Sequence, residues 1–230
     1  MTRHNEYGQP IGDALDWSPR PRVSPITLPG EHVRVEPWSH AHLESLYAAL
    51  CVGSPPSTWT YINGGPFDAP DGLRGWMDAL EADPGLVPHV ICLPDGRAVG
   101  AASYCRLDEA NGSVEVGAIV LGSELQRTAA ATEAMYLMAR HVFDDLGYRR
   151  YEWKCDTHNA PSQRAARRLG FVHEGTFRNA LVYKGRNRDT DWFSITDEEW
   201  PGVRAAFEGW LDRDNQPDGV QVRSLEEFRA

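Results

Sequence analysis

The stretch Gln126-Arg127-Thr128-Ala129-Ala130-Ala131-Thr132-Glu133 follows a strand-like run, Val114–Leu121, and opens a helix-like one. Ala131, Met135, Met138, Val142 and Leu146 recur at spacings of four, three, four and four, which is one face of a helix. The first N–H groups of a helix have no intrahelical acceptor and sit at the positive end of its dipole. A strand, a small-residue loop and a helix start can therefore hold a phosphate-bearing ligand. Alanines stand where such loops usually carry glycines, which let backbone approach phosphate closely; three alanines at a helix start equally suit plain packing. A second signal is charge. Residues 148–188 hold ten Lys/Arg against three acids, inside a chain of net charge −10. That local excess suits an anionic ligand, or a solvated face paired with acids elsewhere. Cys51, Cys92, Cys105 and Cys155 are far apart and show neither disulfide nor metal-ligand spacing. They imply reduced thiols, a cytoplasmic setting and no metal site.

The 230 residues suffice for one large domain with flanking tails. Hydrophobic residues at 41% and charged residues at 24% are ordinary for a globular chain. No apolar run approaches the length of a membrane span, and the N-terminus lacks the apolar core of a signal peptide. Residues 1–29 contain five prolines and no periodicity, so they read as an extended arm, with Trp17 as a possible docking anchor. The domain is expected over 30–212, and 213–230 as a polar tail.

Within the domain, Glu31–Pro37 alternates as a first strand. A helix follows with Leu43, Leu46, Tyr47 and Leu50 on one face, capped by Ser39. Cys51–Pro70 is a Gly/Pro/Ser-rich loop carrying Trp59, Tyr61 and Phe67, rings that either cover a substrate or pin the loop to the core. Asp71 is expected to cap the next helix. Val87–Leu93, Ala98–Leu107 and Val114–Leu121, joined at Pro94-Asp95-Gly96 and Asn111-Gly112, form an antiparallel meander. After the long helix come a strand at Tyr151–Cys155, a helix from Asn159 to Leu169 ended by Gly170, and strands Phe171–Tyr183 and Asp189–Thr196. Asp197 is expected to cap a last helix with Trp200, Val203, Phe207 and Trp210 inward. This is an α+β domain.

At this point four ordered motifs resemble the GNAT N-acetyltransferase superfamily, and within it the RimJ/RimL-like branch. Glu115-Val116-Gly117 resembles the Glu-Ile-Gly of the branch's central strand, and Gln126–Ala131 the acetyl-CoA loop, followed by Glu133-Ala134. Asn159-Ala-Pro-Ser162 resembles the Asn-x-x-Ser helix start, and Arg168-Leu169-Gly170-Phe171 the Lys-Leu-Gly-Phe that closes that helix. The resemblance covers roughly residues 31–200. It implies a mixed, mostly antiparallel central sheet with helices on both faces, and an enzyme that moves an acetyl group from acetyl-CoA to a primary amine by direct attack.

The resemblance also implies residue roles. Backbone N–H groups of Arg127, Thr128, Ala129, Ala130, Ala131 and Thr132 would hold the pyrophosphate. The pantetheine arm would lie along Ile119–Leu121 as an added strand. Asn159 would bond that arm, while its position equally fits a helix N-cap. Arg164, Arg167 and Arg168 could meet the CoA phosphates. Glu115 is the candidate general base, on the strand face opposite Val116, where partial burial would raise its pKa; an ordinary outward glutamate is the alternative. Backbone N–H groups near Ile119–Leu121 could stabilise the developing oxyanion. Ser162 is a candidate donor to the leaving thiolate, and Cys155 lacks the surroundings of an activated thiol. Many family members place a tyrosine acid where this chain has Ala166. The acceptor is open: a protein N-terminus or a small amine, with the overall acidity favouring a cation. A non-catalytic acyl-CoA-binding or ribosome-associated module is the alternative function. Nucleic acid is disfavoured by the net charge, no membrane partner is expected, and a monomer or homodimer fits the resemblance.

Overall fold

A computed structural model describes residues 3–215, 217 and 220–229; Met1, Thr2, Gln216, Asp218, Gly219 and Ala230, parts of the expected arm and tail, lie outside the described residues. The arm begins with a small hairpin, β1 (Arg3–His4) and β2 (Pro10–Ile11). It then docks on the domain. Trp17 Nε1 donates to Ala110 O at 2.7 Å, Arg20 lies 4.3 Å from the Trp17 ring, and Val23 is buried. The arm ends as an edge strand, β3 (Leu28–Pro29), paired with β4 (Arg34–Pro37).

The order continues with α1 (Leu43–Tyr47), extended by a π-helical turn at Ala48–Val52, then α2 (Pro70–Ala82), β5 (Leu86–Cys92), β6 (Ala98–Asp108) and β7 (Ser113–Leu121). Next come α3 (Ala129–Arg140), extended by a π turn at His141–Asp145, β8 (Arg150–Asp156), α4 (Ala160–Arg168), β9 (Val172–Tyr183), β10 (Arg186–Thr196) and α5 (Trp200–Leu211). Two expected caps shift: α2 starts at Pro70 after Ala69, and α5 at Trp200 after Glu199. In both, a proline in the first turn, whose missing N–H costs nothing there, marks the start that the acids at 71 and 197 suggested elsewhere.

One sheet runs β3-β4-β5-β6-β7-β8-β10-β9. Every neighbouring pair is antiparallel except β7 with β8. Helices α3, α4 and α5 cover one face around Tyr104, Met138, Tyr151 and Phe207. Helices α1 and α2 cover part of the other around Leu46, Leu73 and Met77. There Trp59 is fully buried, with ring centroids 5.1 Å from Phe67 and 5.4 Å from Trp76, so these rings pin the loop to the core. The hairpin between β9 and β10 turns on Lys184 and Gly185, both at positive φ, the conformation of a two-residue type I′ turn. The C-terminal segment, polar in composition, folds back on α5: Leu225 is buried, and the Phe228 ring sits against Gly209 where a Cβ would collide.

Candidate active site

β7 is paired on one side with β6 along its length, but with β8 only from Ser113 to Val116. Past Val116↔Trp153 the two parallel strands separate. A bulge marks the change: Ala118 has φ +48, and the β6 register shifts between Ala101 and Ser103. One extra residue reverses the alternation. Val114 and Val116 face α3, whereas Val120 faces α1 and α2, and Ile119 and Leu121 turn back to the α3 side. From Gly117 to Leu121 the backbone edge towards β8 has no strand beside it among the described residues.

The chain from Leu121 to α3 is tied by backbone. Gln126 N donates to Gly122 O, and the Gln126 side chain donates to Leu121 O. Thr128 is the N-cap; its Oγ1 donates to Leu125 O and accepts from Ala131 N at 3.1 Å. Thr132 N reaches Thr128 O at 3.4 Å. The N–H groups of Arg127, Thr128, Ala129 and Ala130 have no acceptor among the described residues. The left-handed residue of the loop is Arg127, φ +62. Ala129 and Ala130 are already helical, so no glycine is demanded where the family pattern has one. This helix start, opening from the end of the unpaired edge, is a ready anion site.

Asn159 caps α4, its Oδ1 accepting from Ser162 N at 3.2 Å and its amide nitrogen left free to donate. Ser162 Oγ accepts from Trp153 Nε1 at 2.9 Å. Burial pushes the Cys155 thiol up to about 11 against a hydrogen bond from Ser162, so it is not a thiolate at neutral pH. The three α4 arginines diverge. Arg168 Nη1 donates to Thr132 Oγ1 at 3.1 Å, and its guanidinium lies 4.9 Å from the Trp210 ring. Arg167 instead lies 5.1 Å from the Phe193 ring. Consecutive residues point about 100° apart on a helix, so only one of the two can reach the first turn of α3.

Glu115 sits where β7 and β8 begin to part. Its Oε2 accepts from Lys154 Nζ at 2.9 Å, with Arg106 Nε at 3.8 Å. Its Oε1 lies over Gly117, close enough to meet a Cβ there at 3.0 Å. Lys154 also bonds Glu152 Oε2 at 2.7 Å and lies 3.7 Å from the Trp192 ring centroid. Burial raises the Glu115 pKa, outweighing Lys154. Burial also pushes Glu152 up, but hydrogen bonds from Lys154 and Arg150 hold it below its ordinary value. Adjacent carboxylates sharing one lysine are thus driven apart in basicity.

Two features escaped the sequence. Glu133, buried on the inner side of α3, accepts from the N–H groups of Glu31, His32 and Val33 at 2.8, 2.7 and 2.9 Å, fastening the segment that leads into β4 to α3. Its signals were an acid at an otherwise apolar helical position and its place in the Glu133-Ala134 motif, and neither names the backbone it fastens. Glu36, His42 and Cys92 bring ligand-type atoms within 4.8 Å of one another. However, Ser39 N donates to His42 Nδ1, which leaves the ring proton on Nε2 facing Glu36, and Arg34 takes the other Glu36 oxygen. Both ring nitrogens are thus already engaged, Nδ1 by the Ser39 N–H and Nε2 by Glu36, and the cluster serves as a helix cap. Among the described residues, no helix is long and apolar enough to cross a membrane.

The sequence signature of the acetyltransferase (GNAT) domain matches residues 32–172. A GCN5-related N-acetyltransferase from Brucella melitensis is 40% identical, with TM-score 0.90 over 93% of this chain and 98% of that one. The Bacillus subtilis protein YdaF, named as a ribosomal N-acetyltransferase, is 28% identical over 59% of this chain and 70% of its own length. A spermidine N-acetyltransferase from Vibrio cholerae, solved with CoA and spermine, shares the fold at 15% identity, TM-score 0.59, over 74% of this chain and 98% of its own. With that signature across more than half its length and a solved relative aligned along nearly all of it, the chain belongs to the GNAT family of N-acetyltransferases.

Proposed function

We propose that this chain transfers the acetyl group of acetyl-CoA to a primary amine by direct attack in a ternary complex. The observation that carries the proposal is the unpaired backbone edge of Gly117–Leu121 leading into the free N–H groups of Arg127–Ala130. An extended pantetheine arm pairs with such an edge as a strand would. A pyrophosphate suits the helix start beside it. Ile119 and Leu121 supply the edge, Asn159 offers its amide nitrogen from the facing lip, and Ala131 and Thr132 complete the first turn of α3. Arg168, held on Thr132, adds positive charge beside that turn. Acetyl-CoA would supply the acyl group as an activated thioester.

The attacking amine must be neutral and must lose a proton. Glu115 is the base: burial makes it more basic than an ordinary glutamate, Lys154 anchors Oε2, and Oε1 is turned to Gly117, where the strands part. Backbone N–H groups beyond the bulge stabilise the charge that develops on the acyl oxygen. The Ser162 hydroxyl, accepting from Trp153, is the candidate proton donor to the departing thiolate. The likeness to YdaF, named as a ribosomal N-acetyltransferase, supports a ribosomal acceptor amine.

Thermal unfolding with and without acetyl-CoA tests the site. At a hundredfold excess over its Kd the ligand adds roughly 2.7 kcal/mol, a Tm rise of roughly 5–10 °C for a chain of this size. No rise in a folded sample would make the loop a packing element and overturn the assignment.

A further inference from the structure

The register places Glu115 opposite Glu152, Lys154 opposite Trp192, and Asp156 opposite Thr190. Tyr183 stands opposite Arg186 and donates to Asp156 at 2.7 Å. Directly opposed residues share a sheet face, so one face, the one away from α3, runs from Glu115 to the β9–β10 turn. Its charges are arranged unevenly. Near Glu115 every cation has a carboxylate: Lys154 on Glu115 and Glu152, Arg150 on Glu152 and Glu174, Arg106 on Glu115.

At the hairpin end the cations have none within 4 Å among the described residues. Lys184 donates to Trp59 O and Gly65 O, Arg186 to Thr60 O, and Arg188 to Thr190 Oγ1. Both guanidinium groups lie over the Tyr183 ring, at 5.3 and 5.7 Å. The acid of this end, Asp156, is buried and already accepts from Tyr183 and His158. Asp189 is one residue from Arg188, so strand alternation turns it to the opposite face, where Asn179 and Asn187 bond it. The loop that Lys184 and Arg186 hold also reaches the lip of the gap, through Tyr61 Oη to His158 O at 3.0 Å. Arg186 and Arg188 therefore stand where this loop meets the hairpin.

The geometry points to an acceptor amine that carries a carboxylate, docked on Arg186 and Arg188 while its nitrogen meets Glu115. This rests on the acetyl-transfer reading above. Glu115 is level with Ser194 across β8 (Glu115 opposite Glu152, Glu152 opposite Ser194), and Arg188 is six residues along β10 from Ser194, roughly 20 Å at strand spacing. Long arginine side chains shorten that span, but a free amino acid, with one carbon between amine and carboxylate, cannot bridge it. A peptide N-terminus with an acidic residue among its first few positions can, at about 3.3 Å per extended residue. The overall charge of −10 would draw polycations; the cations at this end that lack carboxylate partners favour the opposite sign.

The test uses the full chain, acetyl-CoA and peptides Ser-Gly-X-Gly with an amidated C-terminus, X being Glu, Gln or Lys, with spermidine alongside. Release of CoA thiol gives kcat and KM. The expected result is a KM for the Glu peptide about tenfold below that for Gln at similar kcat, as a charge-assisted contact gives. The advantage should shrink as salt is raised, and Arg186→Gln with Arg188→Gln should bring the Glu and Gln peptides together. Equal KM values for Glu and Gln in the wild-type chain, or a lower KM for the Lys peptide or spermidine, would overturn the anionic subsite while leaving acetyl transfer standing. No CoA release from any amine by the folded chain would bring down the acetyl-transfer reading and the subsite with it.

Discussion

The two halves of β7 are built from similar residues and do different things. Ser113–Val116 is paired on both sides, its valines packed under α3. Gly117–Leu121 is paired on one side only, and the bulge at Ala118 has exchanged its inner and outer faces. The first half is structure because its hydrogen bonds are closed within the chain. The second is open to a ligand because its backbone groups are left for something else to satisfy. The boundary is held by the Glu115–Lys154–Glu152 cluster, which ties β7 to β8 at the last point where they run together.

Breaking the boundary should have the largest effect. Lys154→Met leaves two inward carboxylates without their shared cation; the Lys154 side chain is only 7% exposed. Removing one partner of a buried ion pair costs about 3–5 kcal/mol, and urea unfolding at neutral pH should show a loss of that order. A loss below about 1 kcal/mol would mean that the cluster does not hold the strands. Glu115→Gln asks whether the boundary also does chemistry. The base acts only when deprotonated, and burial raises its pKa, so the wild-type rate should fall as pH drops through that raised value. The Gln variant should lose about a hundredfold in kcat together with that acidic limb, at unchanged acetyl-CoA affinity; a variant with the wild-type pH profile would remove Glu115 as the base. The far end of the open half gives the smallest effect. Ala129→Asp sets a negative charge at the helix start and should weaken acetyl-CoA binding about tenfold, or about 1.4 kcal/mol, by titration calorimetry. Unchanged affinity would place the phosphates elsewhere.

Much of this was legible in the chain. The periodicity of Met135, Met138 and Val142 located α3, and Asn111-Gly112 and Asp95-Gly96 located the turns of the meander, because both signals are local. The order of four short motifs located the candidate site. Less was legible where partners come from afar. Alternation placed Glu115 opposite Val116, yet could not show that Lys154, 39 residues on, would take one of its oxygens. The spacing of Arg164, Arg167 and Arg168 suggested one basic face; packing against Phe193 on one side and Trp210 on the other divided it. The proline-rich arm showed no period because its order comes from docking, through Trp17, Val23 and β3.

By itself, then, the sequence determined the elements, their order and the motif-bearing loops, since hydrophobic period, turn residues and helix starts act over a few neighbouring residues. The tertiary structure decided where β7 stops pairing, which carboxylate is paired and which is raised, and which cations stay without acids. Those depend on strand register and burial, which bring together residues tens of positions apart and set how strongly their charges are felt.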